Sequence, residues 1–88
     1  MYNNLLDNLE AIYAKNKQEH TKDESVTLIA KDSYFNAKYF INFMNNQQKS
    51  IIQEKDGSLS LVGKVDNVNI CMNFTPHNEV IISVTGDN

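Results

Sequence analysis

One stretch constrains the fold of this chain more than any other: Val68–Phe74, "VNICMNF". Apolar side chains occupy every second position, and Asn69, Cys71 and Asn73 stand between them. Because successive side chains of a β-strand point to opposite faces, this alternation predicts a strand with one buried and one open face. Such a strand needs neighbouring strands and a covering layer to be stable. The rest of the chain must supply both.

Turn signals divide the second half of the chain into strands. Asp56–Gly57 separates "SIIQE" from "SLSLV", and a two-residue hairpin turn at this point would pair Ile52 with Leu61. A further reversal is predicted at "DN" before Val68, with a bend in a longer strand as the alternative, and another at "TPHN" after Phe74. These turns predict an antiparallel meander.

Two more segments carry the period of a strand. Residues 26–31 alternate after the polar connector "HTKDES" and predict a first strand. Residues 79–84 predict the last strand, with Val80, Ile82 and Val84 on one face.

The covering layer is predicted at the N-terminus. The apolar residues there have helical spacing, and they are Leu5, Leu6, Leu9, Ile12 and Tyr13. Asn4 can cap the helix, which we expect to span Asn4–Glu19. A helix of this length, ~22 Å, could cross four or five strands spaced ~4.8 Å apart.

The segment "YFNAKYFINFMNN", Tyr34–Asn46, has two interpretations. As a strand, it would bury Phe35, Tyr39 and Phe43 and leave Phe40 on the opposite face. The aromatic residues favour this strand, and the many asparagines argue against a helix. As a helix over 33–46 it would add a second helix to the covering layer. The predicted fold is therefore α+β in one domain, 1–88: an N-terminal amphipathic helix on one face of an antiparallel meander of five or six strands, with a second helix at 33–46 as the alternative.

Composition argues against several classes of function. The chain has 88 residues and a net charge of −3, and all eight basic side chains are lysines. Without arginine or a basic cluster, nucleic-acid binding is not expected. The apolar runs are too short to cross a membrane, and the lone Cys71 and the lack of a signal-like N-terminus predict a cytoplasmic protein.

Catalytic and metal-binding patterns are not evident in the sequence. Only two histidines are present, His20 in the connector and His77 in a turn, and no CxxC, HxH or HExxH motif occurs. A pair of Cys71 and His77 would lack an orienting third group. We therefore expect no catalytic residues, no metal site and no cofactor, and a protein that is not an enzyme.

The expected function is protein binding through the open face of the sheet. Apolar spots among polar side chains are typical of contact surfaces. In the strand interpretation, the candidate residues are Lys38, Phe40, Asn42, Met44, Asn69, Cys71, Asn73 and Ile81. The Asn-rich, Arg-free composition favours an inhibitor or antagonist of a host protein, encoded by a phage or mobile element. The alternatives are a small-molecule-binding or enzymatic domain with a pocket between helix and sheet, and a structural or regulatory homodimer.

Overall fold

In the computed structural model, residues 4–42 and 49–86 are described. Within these two ranges, two helices precede four strands. The helices are α1 (Asn4–Lys22) and α2 (Lys31–Ile41), and the strands are β1 (Lys49–Gln53), β2 (Leu59–Val65), β3 (Val68–Phe74) and β4 (Val80–Gly86). The fold is thus α+β with an N-terminal helix, as the sequence predicts.

Helix α1 follows the predicted apolar stripe. It begins at Asn4, has Asp7 in its first turn and His20 and Lys22 in its last, so both ends complement the helix dipole. Leu5 and Leu9 are buried against the core. The helix continues one turn beyond the predicted end, to Lys22.

The sheet is an antiparallel meander in the order β1-β2-β3-β4. The residues described contain these four strands, so the prediction of five or six is not confirmed. The register places one apolar row across the sheet, from Ile51 through Leu61 and Met72 to Ile82. Since paired residues share a face, this row marks the side of the sheet on which the helices lie.

The first hairpin differs by one residue from the predicted pairing. Ile52 lies opposite Ser60 rather than Leu61. The N–H of Glu54 donates to the carbonyl of Ser58 (3.0 Å), which encloses a three-residue turn. Within that turn only Gly57 has a positive φ, of 90°, whereas the expected two-residue turn needs positive φ at both central residues.

Gly57 also has no room for a side chain. A Cβ at this position would lie 2.8 Å from the carbonyl oxygen of Leu28. The Gly57 carbonyl in turn accepts a hydrogen bond from the N–H of Ala30 (2.9 Å). The turn therefore joins the sheet to the segment between the helices.

The second and third turns follow the prediction. Asp66 and Asn67 have φ values of 50° and 66°, as a two-residue turn of type I′ requires. Asn78, in the turn before β4, also has a positive φ, of 63°. Asparagine tolerates this conformation better than most residues.

The predicted first strand at 26–31 is wrong. Residues 26–30 form neither helix nor strand, they pair with no strand among the residues described, and Lys31 begins α2. Instead, the Asn16 side chain of α1 donates to the Thr27 carbonyl (2.9 Å) and accepts from the Ile29 N–H (2.8 Å). One buried side chain thus provides the hydrogen bonds that a neighbouring strand would have supplied.

The strand interpretation of the aromatic segment is also wrong over 31–41, where the chain forms α2. The helical period brings Ser33, Tyr34, Ala37 and Ile41 together on one buried face. The apolar residues of this segment therefore fit a helix lying on the sheet better than a pleated strand. Phe43, the residue that the strand interpretation buries, lies outside the described residues.

The core lies between the helices and one face of the sheet. Helix α1 packs on β1 and on α2, and α2 packs on β2 and β3. The buried apolar residues are Leu5, Leu9, Ile29, Tyr34, Ala37, Ile41, Leu59, Leu61, Met72 and Phe74. Two helices, rather than the single helix of the strand interpretation, therefore form the covering layer. Together they cover three strands.

Candidate functional site

The outer face of α2 presents two aromatic residues to solvent. Phe35 is 59% exposed and Tyr39 is 61% exposed. Residues four apart lie one above the other on a helix, so the two form a single aromatic surface opposite the buried face. Polar Asn36 and Lys38 flank it, and both are half-buried.

The predicted site residues at 38, 40 and 42 lie on α2 or directly after it rather than in a sheet. Lys38 sits beside α1, with Nζ 4.0 Å from Oε1 of Glu10. Phe40 is half-buried, and its ring centroid lies 5.7 Å from that of Phe74. Asn42 is exposed at the C-terminal end of the helix. Phe40 is therefore a packing residue and not the exposed anchor that the strand interpretation expected.

The predicted site residues of β3 and β4 do lie on the sheet face opposite the helices. Asn69, Cys71 and Asn73 share this face with Ile81, which is exposed. Met44 lies outside the described residues. Since α2 is on the other side of the sheet, the structure does not bring the two predicted groups together.

Asn73 makes its hydrogen bonds within the sheet. Its Nδ2 donates to Oγ of Ser60 (2.9 Å) and to Oγ of Ser58 (3.2 Å). Asn73 therefore ties β3 to β2, and its amide group is already engaged.

Among the cavities lined by described residues are two that lie on the sheet and at its first turn. The larger, about 460 Å³, lies at the β1–β2 turn and is lined by Gln53, Glu54, Lys55, Asp56, Ser58 and Asn73. The smaller, about 340 Å³, includes Cys71 with the hydroxyls of Ser50, Ser83 and Thr85. No helix residue lines either of these two cavities.

A polar and aromatic cluster joins the two helices. The Tyr34 hydroxyl donates to Oε1 of Glu10 (2.5 Å), and the Tyr34 ring stacks on that of Tyr13 with centroids 4.0 Å apart. The hydrogen bond to Glu10, together with burial, raises the pKa of Tyr34 to about 12. The Tyr34 hydroxyl therefore stays protonated near neutral pH and can keep donating its hydrogen bond to Glu10.

The two histidines lie at the end of α1 and in the turn before β4. Nδ1 of His20 is 2.7 Å from the Val26 carbonyl, which connects the end of α1 to the next segment. His77 is exposed in the turn before β4.

Near that turn, hydrogen bonds from the hydroxyl and N–H of Ser58 lower the pKa of Asp56. Over the described ranges, no three His, Cys, Asp or Glu side chains are grouped to hold a metal ion.

The two exposed rings of α2 were not among the predicted site residues, because this segment was given the two-residue period of a strand instead of the helical period. In the strand interpretation, Phe35 and Tyr39 belong to the buried face. In the helical alternative, they lie opposite the face formed by Tyr34, Ala37 and Ile41. Testing each residue against the helical period could have identified them.

Neither described helix is long and apolar enough to cross a membrane. The chain has no significant match to a protein-family model, to a curated protein or to a solved structure.

Proposed function

We propose that this chain is a small, non-catalytic protein-binding module whose contact surface is the outer face of α2. The observation that carries the proposal is the exposure of Phe35 and Tyr39, at 59% and 61%. Aromatic residues are enriched at the centres of protein interfaces, because they bury a large area at a small cost in conformational entropy.

The expected mode of recognition is a helix lying in a groove. Anchors at positions i and i+4 of an amphipathic helix insert into an apolar groove of the partner. Phe35 would supply a wholly apolar anchor, while the Tyr39 ring carries a hydroxyl group that can reach a polar rim. Because α2 is already held on β2 and β3, its anchors are preorganised and lose little freedom on binding.

The finer proposal is an inhibitor or antagonist of a host protein, encoded by a phage or mobile element. It is supported by the size of the chain and by its Asn-rich, Arg-free composition. An exposed aromatic helix face on a small rigid domain would suit such a role, since it can occupy a groove used by another protein.

The test compares capture by the wild type and by Phe35→Ala/Tyr39→Ala from lysates of low-GC bacteria. We expect the wild type to retain a defined protein whose affinity falls by roughly 30-fold or more in the variant, since an anchor contributes ~2 kcal/mol or more. The matched control is Leu28→Ala/Ile52→Ala, which removes two other exposed apolar side chains and should bind like the wild type. The proposal is overturned if the α2 variant retains the same protein equally well or if the wild type retains none.

A further inference from the structure

The outer edge of β4 has backbone groups that face away from the sheet. The Thr75 N–H donates to the Glu79 carbonyl (2.9 Å) across the turn that precedes β4. In an antiparallel pair, hydrogen-bonded and non-bonded residue pairs alternate. With Thr75 opposite Glu79 as a bonded pair, the register places Ile81, Ser83 and Thr85 in bonds to β3.

The other residues of β4 therefore point their N–H and C=O groups outward. They are Val80, Ile82, Val84 and Gly86. Over 4–42 and 49–86, no strand lies against this edge. A row of outward donors and acceptors is a template for a further strand.

Apolar side chains accompany this backbone row on both faces of β4. Ile82 and Val84, 56% and 63% exposed, project on the helix side, and Ile81 is exposed on the opposite side. A strand added to the edge would cover part of these surfaces. The edge thus combines backbone groups that pair with no strand of the described residues and apolar area that gains from burial.

This edge also lacks the features by which proteins usually protect exposed strands. Natural edge strands are short or carry charges or proline, whereas the seven residues Val80–Gly86 contain neither charge nor proline. The opposite edge strand, β1, has five residues, begins with Lys49 and is followed by Glu54. The two edges of one sheet are therefore built differently.

We propose that two copies of the chain join through their β4 edges, antiparallel about a two-fold axis, to form one continuous eight-stranded sheet. A second copy is the occupant that the structure supports, because every copy carries the same uncharged strand with outward backbone groups at alternate residues. When Val80–Gly86 pairs with itself over its full length, the axis passes between the two Ser83 residues. Each outward residue then meets another outward residue, and Ile82 faces the partner's Val84.

The joined sheet would also extend the existing apolar rows. The row that ends at Ile82 would continue into the second copy on the helix side, and no charged side chain of β4 would be brought into the seam. Because one strand and two short rows of side chains form a small contact, we expect dimerisation to depend on concentration. The α2 surface lies elsewhere, so this inference does not rest on the proposed function.

The test measures the molar mass of the wild type and of Ile82→Lys/Val84→Lys by sedimentation equilibrium. Between about 10 µM and about 1 mM, the wild type should rise from its chain mass of 10.0 kDa toward twice that value. The variant should remain at the chain mass, because the introduced lysines would face each other across the seam. Both positions are more than half exposed, and far-ultraviolet circular dichroism checks that the variant is folded.

The matched control is Leu28→Lys/Ile52→Lys, which changes the charge equally and removes two other exposed apolar side chains. It should dimerise like the wild type. Amide hydrogen exchange provides a second readout: the N–H groups of Ile82 and Val84 should exchange at least about tenfold more slowly at the high concentration, while those of Ile81 and Ser83 are already bonded in the monomer. A wild type that remains at 10.0 kDa throughout, an equal loss of dimer in the control, or a dimer without protection at Ile82 and Val84 would overturn the proposal.

Discussion

Strands β3 and β4 are neighbours with nearly the same pattern but opposite environments. Both place an apolar residue at every second position on the helix side of the sheet. On the helix side of β3, Met72 and Phe74 are buried, whereas Ile82 and Val84 on the same side of β4 are exposed. The difference comes from the helices, because α2 packs on β2 and β3 and leaves the inner face of β4 largely uncovered.

Alternating apolar residues predict that a strand has one apolar face, but they do not predict that this face is buried. The period specifies which side chains share a face. Burial depends on whether another element lies over that face, and an edge strand is the one most easily left uncovered. An alternating strand at the edge of a small domain is therefore a candidate contact surface as much as a core element.

Met72 and Ile82 are directly opposite each other on β3 and β4. Truncating each of them, in Met72→Ala and Ile82→Ala, tests the difference in burial between the two strands most directly. We expect Met72→Ala to lower the free energy of unfolding by about 2–4 kcal/mol, because it leaves a cavity beneath the helices. Ile82→Ala should cost less than about 1 kcal/mol, because its side chain is already more than half exposed. Urea midpoints at about 1 µM protein, where association is minimised, provide the measurement. Equal losses would show that β4 is covered as fully as β3.

We also expect the Asn16 side chain to stabilise the segment between the two helices. Asn16 is fully buried and bonds to the backbone of Thr27 and Ile29. Asn16→Ala would leave the part-buried Thr27 carbonyl and the buried Ile29 N–H without this partner, so we expect a loss of about 1–3 kcal/mol. The control is Asn8→Ala, the same change at an exposed position of α1, which should alter stability by less than about 0.5 kcal/mol. An Asn16→Ala midpoint equal to that of the control would exclude this role for the amide.

The smallest expected effect is a dependence of helix packing on pH. Because the pKa of Tyr34 is raised to about 12 by its bond to Glu10 and by burial, the folded chain holds this proton more tightly than the unfolded chain. The resulting stabilisation is complete below about pH 10, the ordinary pKa of tyrosine, and is lost as the pH rises through about 12. Solvent screens the bond, since the Glu10 side chain is 48% exposed, so we expect an effect of about 1 kcal/mol.

The measurement is the difference in urea midpoint between wild type and Tyr34→Phe from pH 9 to 12. The difference should shrink with rising pH, because Tyr34→Phe removes the group that titrates. Tyr13→Phe keeps the stacked rings and the bond to Glu10, so its difference from wild type should not shrink in the same way. A constant difference for Tyr34→Phe would show that the bond to Glu10 does not stabilise the folded chain.

Much of the fold could be predicted because its signals are local. The stripe of Leu5 and Leu9, the alternation of β3 and the turns after β2 and β3 depend on residues close together in sequence. The register of the first hairpin could not be predicted in the same way. It depends on a three-residue turn in which Gly57 lies against the Leu28 carbonyl, a contact between residues far apart in the chain.

The candidate site was harder to predict than the fold. The sequence drew attention to the aromatic segment, but its strand and helix interpretations expose different rings. Helix α2 exposes Phe35 and Tyr39 and packs Phe40 near Phe74. The open-face residues of β3 were placed correctly, because their alternation is unambiguous.

The sequence by itself determined an amphipathic N-terminal helix, the strands that pair with Val68–Phe74 and the two sides of the resulting sheet. Periodicity and turn chemistry act over a few residues, so they can be read without knowing where distant segments lie. Only the tertiary structure decided that residues 31–41 form a helix, that the Asn16 side chain replaces a strand beside residues 27–29, and that β4 is left at an uncovered edge. Each of these outcomes depends on which surface a segment packs against, and burial against distant residues outweighs local propensity.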